Sequence, residues 1–229
     1  MGLRADGRAT GAGTILAVSP TVRLPLRRET IVATARDLIA ADGLESVSLR
    51  RLAALLGVTA PALYAHVTDK RDLLRNVAET EFDRLVARFD AVDEPEPLAR
   101  IRAYNRAYVA HAREHPELFR VMLLFPPDLD GFGSPPSGLE LPGATRAFNT
   151  AAAAVVEAIE TGAIDAVDPI MAAITIWSAV HGVASVLQLG FALPGELELA
   201  LVDEVSDRLL AGYGARDRAT GTDRPPLPA

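Results

Sequence analysis

The stretch Gly57-Val58-Thr59-Ala60-Pro61-Ala62-Leu63-Tyr64-Ala65-His66-Val67-Thr68-Asp69-Lys70-Arg71-Asp72-Leu73-Leu74 decides the reading of this chain. Gly57 supplies a turn, and Thr59 stands where a helix N-cap would be. Pro61 falls in the first helical turn, where its missing N–H costs nothing. The spacing predicts a helix of about two turns, through Val67. Asp69 then caps another helix, with Asp72 three residues on in a capping-box-like arrangement. A helix so short cannot build a core, so its side chains are free for another use.

Upstream, the helical period begins at Arg28, with Ile31, Val32, Ala35, Leu38 and Ile39 on one face until Gly43, the residue that tolerates the left-handed cap conformation, stops it. Ser48 offers an N-cap to a second helix burying Leu49, Leu52, Ala53 and Leu56, which Gly57 ends. Three helices with a glycine-bounded turn between the second and third match a helix-turn-helix, whose second element lies in the major groove of DNA. Ala60, Pro61 and Ala62 form a small apolar surface able to touch thymine methyls. Tyr64, His66 and Lys70 carry donors at a spacing that suits phosphates, and the capped helix starts at Ser48 and Asp69 offer free N–H groups.

The charge is divided in the same sense. The chain carries −7 overall, yet residues 1–75 hold 11 Lys/Arg against 7 Asp/Glu, and residues 76–229 hold 12 against 23. A basic N-terminal third on an acidic body fits a localised footprint on phosphates. The hydrophobic fraction of 49% with 5% aromatic residues suits close-packed helices. The absence of cysteine excludes disulfides, iron–sulfur clusters and thiolate zinc sites, and no cofactor is implied. The apolar run Gly13–Val18 is too short to span a bilayer and fits a floppy extension better than a signal peptide. No later stretch reads as long enough and free enough of charge to span one either, so no membrane partner is expected.

The pattern predicts an all-α chain in four parts. Residues 1–26 form a disordered extension, 27–75 a DNA-binding unit, 76–214 a larger helical effector-binding and dimerisation unit, and 215–229 a disordered tail. Asp93-Glu94-Pro95-Glu96-Pro97 breaks the pattern after a long connector helix carrying Leu74, Ala78, Phe82, Leu85 and Phe89. Pro126 to Pro142 reads as a long loop. Pro169 to about Gly190 is so apolar on all sides that burial all round is expected, and an amphipathic helix from Glu196 to Tyr213 closes the unit.

Residues 28–75 resemble the N-terminal DNA-binding domain of the TetR family of transcriptional repressors. The likeness is carried by Gly57-Val58-Thr59, Leu63-Tyr64-Ala65-His66-Val67 and Lys70-Arg71-Asp72-Leu73-Leu74, and is closest to the tetracycline-repressor branch. Val67 departs from it, since the family more often has Phe there. The resemblance implies DNA contacts at Thr59, Ala60, Pro61, Tyr64, His66 and Lys70. It also implies a cytoplasmic homodimer built on the helices near 169–190 and 196–213, with small residues such as Ala173, Ala179, Gly182 and Ala184 allowing close approach. A palindromic operator, release by a small-molecule effector and no catalytic activity follow from the same likeness.

Trp177-Ser178-Ala179-Val180-His181-Gly182 is similar to a Trp-x-x-x-His-Gly signature found in one group of such C-terminal domains. Trp177 and His181 share a helix face, either as a pocket pair or as a packed Trp with a satisfied core His; the residue types favour the core. Tyr104, Tyr108, Phe119, Met122, Phe148, Met171, Trp177 and His181 are the candidates for an effector cavity suited to an apolar or aromatic molecule. His111, Glu114 and His115 form the one metal-like spacing, which supports a metal-dependent enzyme only weakly because the order matches no hydrolase motif. A regulator governed by a protein partner is the other rival.

Overall fold

The computed structural model describes residues 26–127, 140–190 and 193–215. The extension through residue 25, the tail from 216 and most of the loop between Pro126 and Pro142 lie outside the described residues. Within them the chain forms nine α-helices and one 3-10 turn. These are α1 (Arg28–Asp42), the 3-10 turn (Leu44–Ser46), α2 (Leu49–Leu56), α3 (Ala60–Tyr64), α4 (Lys70–Asp90), α5 (Pro97–Glu114), α6 (Pro116–Met122), α7 (Pro142–Glu160), α8 (Pro169–Leu187) and α9 (Gly195–Gly212).

Helices α1 to α3 and the start of α4 close a small core around Ile31, Ala35, Ile39, Leu52, Leu63, Leu73 and Val77. That core is completed by Leu118, Val121 and Phe125, at and just beyond α6, and by Leu141 and Ala144 at the start of α7. The body holds two further clusters. One gathers Leu85 and Phe89 of α4 with residues of α5 to α9, and the other packs the opposite end of α5 on α7, α8 and α9. Helix α4 is therefore shared: its 21 residues span about 31 Å and run without interruption from the head into the body.

Four expectations need correction. Helix α3 stops at Tyr64, with Val67 buried in the turn that follows. Gly43 ends α1 at φ 81°, ψ 165°, a region open essentially to glycine alone and not the left-handed cap. Helix α8 is not buried all round. Its inner face carries Ala172, Ala173, Ile176, Val180, Val183 and Ala184, while Met171, Thr175, Ser178, Gly182 and Val186 are exposed. Ala173 and Ala184 thus point into the core and not to a partner. Finally, Pro169–Leu187 is long and apolar enough, at mean hydropathy 1.8, to cross a bilayer by length and composition. Its apolarity has a local use, since its inner face packs into both body clusters.

Candidate functional site

The head is built by capping. Ser48 Oγ accepts the Arg51 N–H at 3.2 Å and starts α2. Gly57 ends it in the left-handed region, φ 66° and ψ 28°. Gly57 N–H reaches the Ala54 carbonyl at 3.2 Å, Val58 N–H reaches the Ala53 carbonyl at 3.0 Å, and Val58 packs on the head core. That paired closure fixes the angle at which α3 leaves α2. Thr59 takes the extended N-cap conformation without a side-chain cap bond.

Within α3 only Leu63 is fully buried. Thr59 and Pro61 are exposed, Ala60 and Ala62 half-buried, and Tyr64 is 58% exposed. His66 is half-buried, as is Lys70, the first residue of α4 and the single lysine of the chain. Asp69 Oδ1 accepts the Asp72 N–H at 2.7 Å, and Asp72 Oδ2 accepts the N–H of Thr68 at 2.9 Å. The capping box is therefore shifted by one residue from the predicted reciprocal pair.

Arg28, which sequence reasoning missed, locks this arrangement. Its guanidinium donates to the His66 carbonyl at 2.9 Å, to Asp72 Oδ1 at 2.7 Å and to Asn76 Oδ1 at 3.2 Å, so α1 holds the end of α3 and the start of α4 together. The partners lie 38 to 48 residues away, beyond any local pattern. Arg50 and Arg71 are exposed and form no ion pair with another described residue. Their charge is available to a polyanion.

The body holds a cavity of about 250 Å³. Phe82, Leu85 and Phe89 of α4, Tyr104 and Tyr108 of α5, Phe119 and Met122 of α6, Phe148 of α7, and Ile176, Trp177 and His181 of α8 line it. No described Asp, Glu, Lys or Arg does. The space exists because α7 presents Ala144, Ala147, Ala151 and Ala152 where longer side chains would meet the aromatics opposite. Seven of the eight predicted cavity residues are brought together here. Met171 is the exception: it is 54% exposed, outside the lining, because a helix this apolar gives no periodic cue to its inner face.

One corner of the cavity is polar. Tyr108 Oη and His181 Nδ1 lie 2.9 Å apart, and Trp177 Nε1 donates to Tyr108 Oη at 3.4 Å. Burial raises the Tyr108 phenol well above its ordinary value and lowers the His181 imidazole. Both groups are therefore neutral near pH 7.

A second polar cluster joins head to body. Glu81 of α4, fully buried, accepts from Arg36 Nε of α1 at 2.7 Å and lies 3.7 Å from His111 Nε2 of α5. Glu81 Oε2 and both His111 ring nitrogens lack a hydrogen-bond partner. Burial, with help from the Arg88 charge, lowers the His111 pKa to about 4. The metal-like spacing is broken up by the fold: His111 faces Glu81, and Glu114 pairs with Arg88. No group of three or more such ligands able to hold a metal occurs among the described residues.

By its architecture this is an all-helical regulator with a DNA-binding head and a hollow body. Residues 31–77 match the family model of bacterial regulatory proteins, tetR family, and residues 101–213 match the tetracyclin repressor-like C-terminal domain. An uncharacterized HTH-type transcriptional regulator of Mycobacterium tuberculosis is 28% identical over 95% of this chain and 94% of its own length. A solved structure of a protein of unknown function from Rhodococcus sp. RHA1 superposes at TM-score 0.70 and 27% identity, over 86% of this chain and 100% of that one. The tetracycline repressor protein class C of Escherichia coli is 48% identical over 54 residues, about a quarter of each chain. The chain belongs to the TetR family, whose members are ligand-responsive regulators that bind operator DNA and act as dimers.

Proposed function

We propose that residues 27–75 bind a palindromic operator and that residues 76–214 bind a small apolar or aromatic effector that releases it, so that the chain acts as a repressor. The observation that carries this reading is the joint placement of an exposed recognition edge and an apolar cavity on the two ends of one helix, α4. Tyr64, His66 and Lys70, with the capped start of α2 at Ser48, hold phosphates and set register. Thr59 and the Ala60-Pro61-Ala62 surface face the bases, where small side chains fit against thymine methyls. A largely apolar cavity of this size favours a small molecule over a protein partner as the control.

Helix α6 supplies the link between the two. Phe119 and Met122 line the cavity, while Leu118 and Val121 sit in the head core. Glu117 Oε2 accepts the Leu44 N–H at 3.3 Å, next to the turn that ends α1. An effector that displaces Phe119 and Met122 moves the floor of the head core with them. The recognition helices of the dimer then lose their spacing over successive major grooves. A coupling of about 1–3 kcal/mol gives about 5- to 150-fold weaker binding.

The exposed faces of α8 and α9, with Met171, Thr175, Ser178, Gly182 and Val186 on one and Leu197, Ala200 and Glu204 on the other, form the homodimer surface. A cytoplasmic protein without catalytic activity is the reading consistent with this role. Gel shift with DNA selected from a random pool tests the head. The Tyr64→Ala/Lys70→Ala chain loses at least about tenfold in affinity, and unchanged affinity removes the assignment.

A further inference from the structure

We infer that the effector is a neutral molecule of about ten non-hydrogen atoms, apolar along its length, with one acceptor oxygen of the hydroxyl, carbonyl or ether kind docked on Tyr108 and His181. This rests on the reading of the cavity as the effector site, and it narrows that site to a ligand class.

The size follows from volume. A cavity of about 150 Å³ holds benzene, so one of about 250 Å³ has room for a substituted single ring.

The polarity follows from counting protons in the corner. The Tyr108 hydroxyl has one proton and two lone pairs, and one lone pair receives the Trp177 N–H. Its neighbour, His181 Nδ1, lies 2.9 Å away, and His181 Nε2 has no partner among the described residues. Two arrangements are possible. If Nδ1 is bare, Tyr108 O–H donates to it and the imidazole proton sits on Nε2. If Nδ1 carries the proton, it donates to the Tyr108 oxygen, which then holds two incoming bonds and keeps its own O–H. Each arrangement leaves one proton undelivered, on His181 Nε2 or on Tyr108 Oη.

An apolar ligand alone covers that proton without accepting it, which carries a desolvation penalty. An acceptor oxygen removes it. Among the described residues charge is disfavoured in both directions: no lining Arg or Lys answers a carboxylate, and no lining Asp or Glu answers an ammonium. Two further polar side chains, Tyr104 and Asn105, line the cavity outside this corner, and Asn105 donates one amide N–H to Ser206 Oγ at 3.0 Å. The Tyr108–His181 corner, where a hydrogen-bonded pair is left with a donor to spare, is the seat assigned to the ligand's oxygen.

Trp177 is the single tryptophan of the chain and forms part of that corner, so its fluorescence reports occupancy. The test titrates the full-length protein near neutral pH with para-propylphenol, para-propyltoluene and para-propylbenzoate. Para-propylphenol binds about five- to tenfold more tightly than para-propyltoluene, the worth of one net neutral hydrogen bond, and para-propylbenzoate binds most weakly. In Tyr108→Phe/His181→Leu the preference for the phenol disappears, while para-propyltoluene binding is kept within about twofold. If that variant does not fold, the wild-type ranking decides alone. Equal affinity for phenol and toluene overturns the polar seat and leaves the cavity reading standing. Tightest binding of the benzoate overturns neutrality. No fluorescence response to any of the three overturns the cavity reading and this inference with it.

Discussion

The recognition edge and the cavity place their functional groups in opposite ways. The edge draws its residues from one continuous window, Ser48 to Lys70, and leaves them half or fully exposed on a scaffold of local caps. The cavity draws on five helices, from Phe82 to His181, and its polar contacts join residues 69 and 73 positions apart. The difference teaches that DNA contact can be altered without disturbing the fold, whereas the groups around the cavity and its junction with the head are also structural.

Glu81→Ala tests the junction most severely. It leaves Arg36 without its 2.7 Å partner in a buried setting, so a loss of about 3–5 kcal/mol is expected in denaturant unfolding. A loss below about 1 kcal/mol would show that the junction is no more integrated than the surface. His111 gives the next effect. Its folded pKa, about 4, lies below its ordinary 6.5, so the unfolded chain takes up the proton first as pH falls. The contribution is full above pH 6.5 and is lost as pH drops toward 4, by about 3 kcal/mol if the whole shift is expressed. The difference in pH slope between the wild type and His111→Leu isolates it.

On the head side, Tyr64→Ala/Lys70→Ala is expected to change unfolding stability by no more than about 1 kcal/mol while abolishing most operator affinity. A large stability loss would break the contrast. Gly57→Ala sharpens it: no atom lies within 4 Å of the added Cβ, so the loss is the backbone strain of φ 66°, about 1–2 kcal/mol. Arg106→Ala, removing a half-exposed pair with Asp203 of α9, is expected to cost no more than about 1 kcal/mol.

The same contrast explains what was legible in the sequence. Ser48, Gly57 and Asp69 announced helix ends because capping is read within three or four residues, and each stands at the end it marked. Tyr64, read as a donor carried by a helix too short to build a core, does stand exposed. Arg28, Glu81 and the Tyr108–Trp177 contact could not be found this way, since nothing local marks a partner tens of residues distant. Met171 was misplaced for a different reason: when both faces of a helix are apolar, periodicity does not say which one turns inward. The outer face of α8 was hidden by the same ambiguity.

The central claim is that the cavity governs the edge. Operator DNA selected by the wild-type protein, followed by fluorescence anisotropy as para-propylphenol is raised to saturation of the Trp177 signal, tests it directly. The account predicts an affinity about 5- to 150-fold weaker with the cavity filled, and reciprocally weaker phenol binding on the DNA-bound protein. A saturated Trp177 signal with operator affinity unchanged would contradict it.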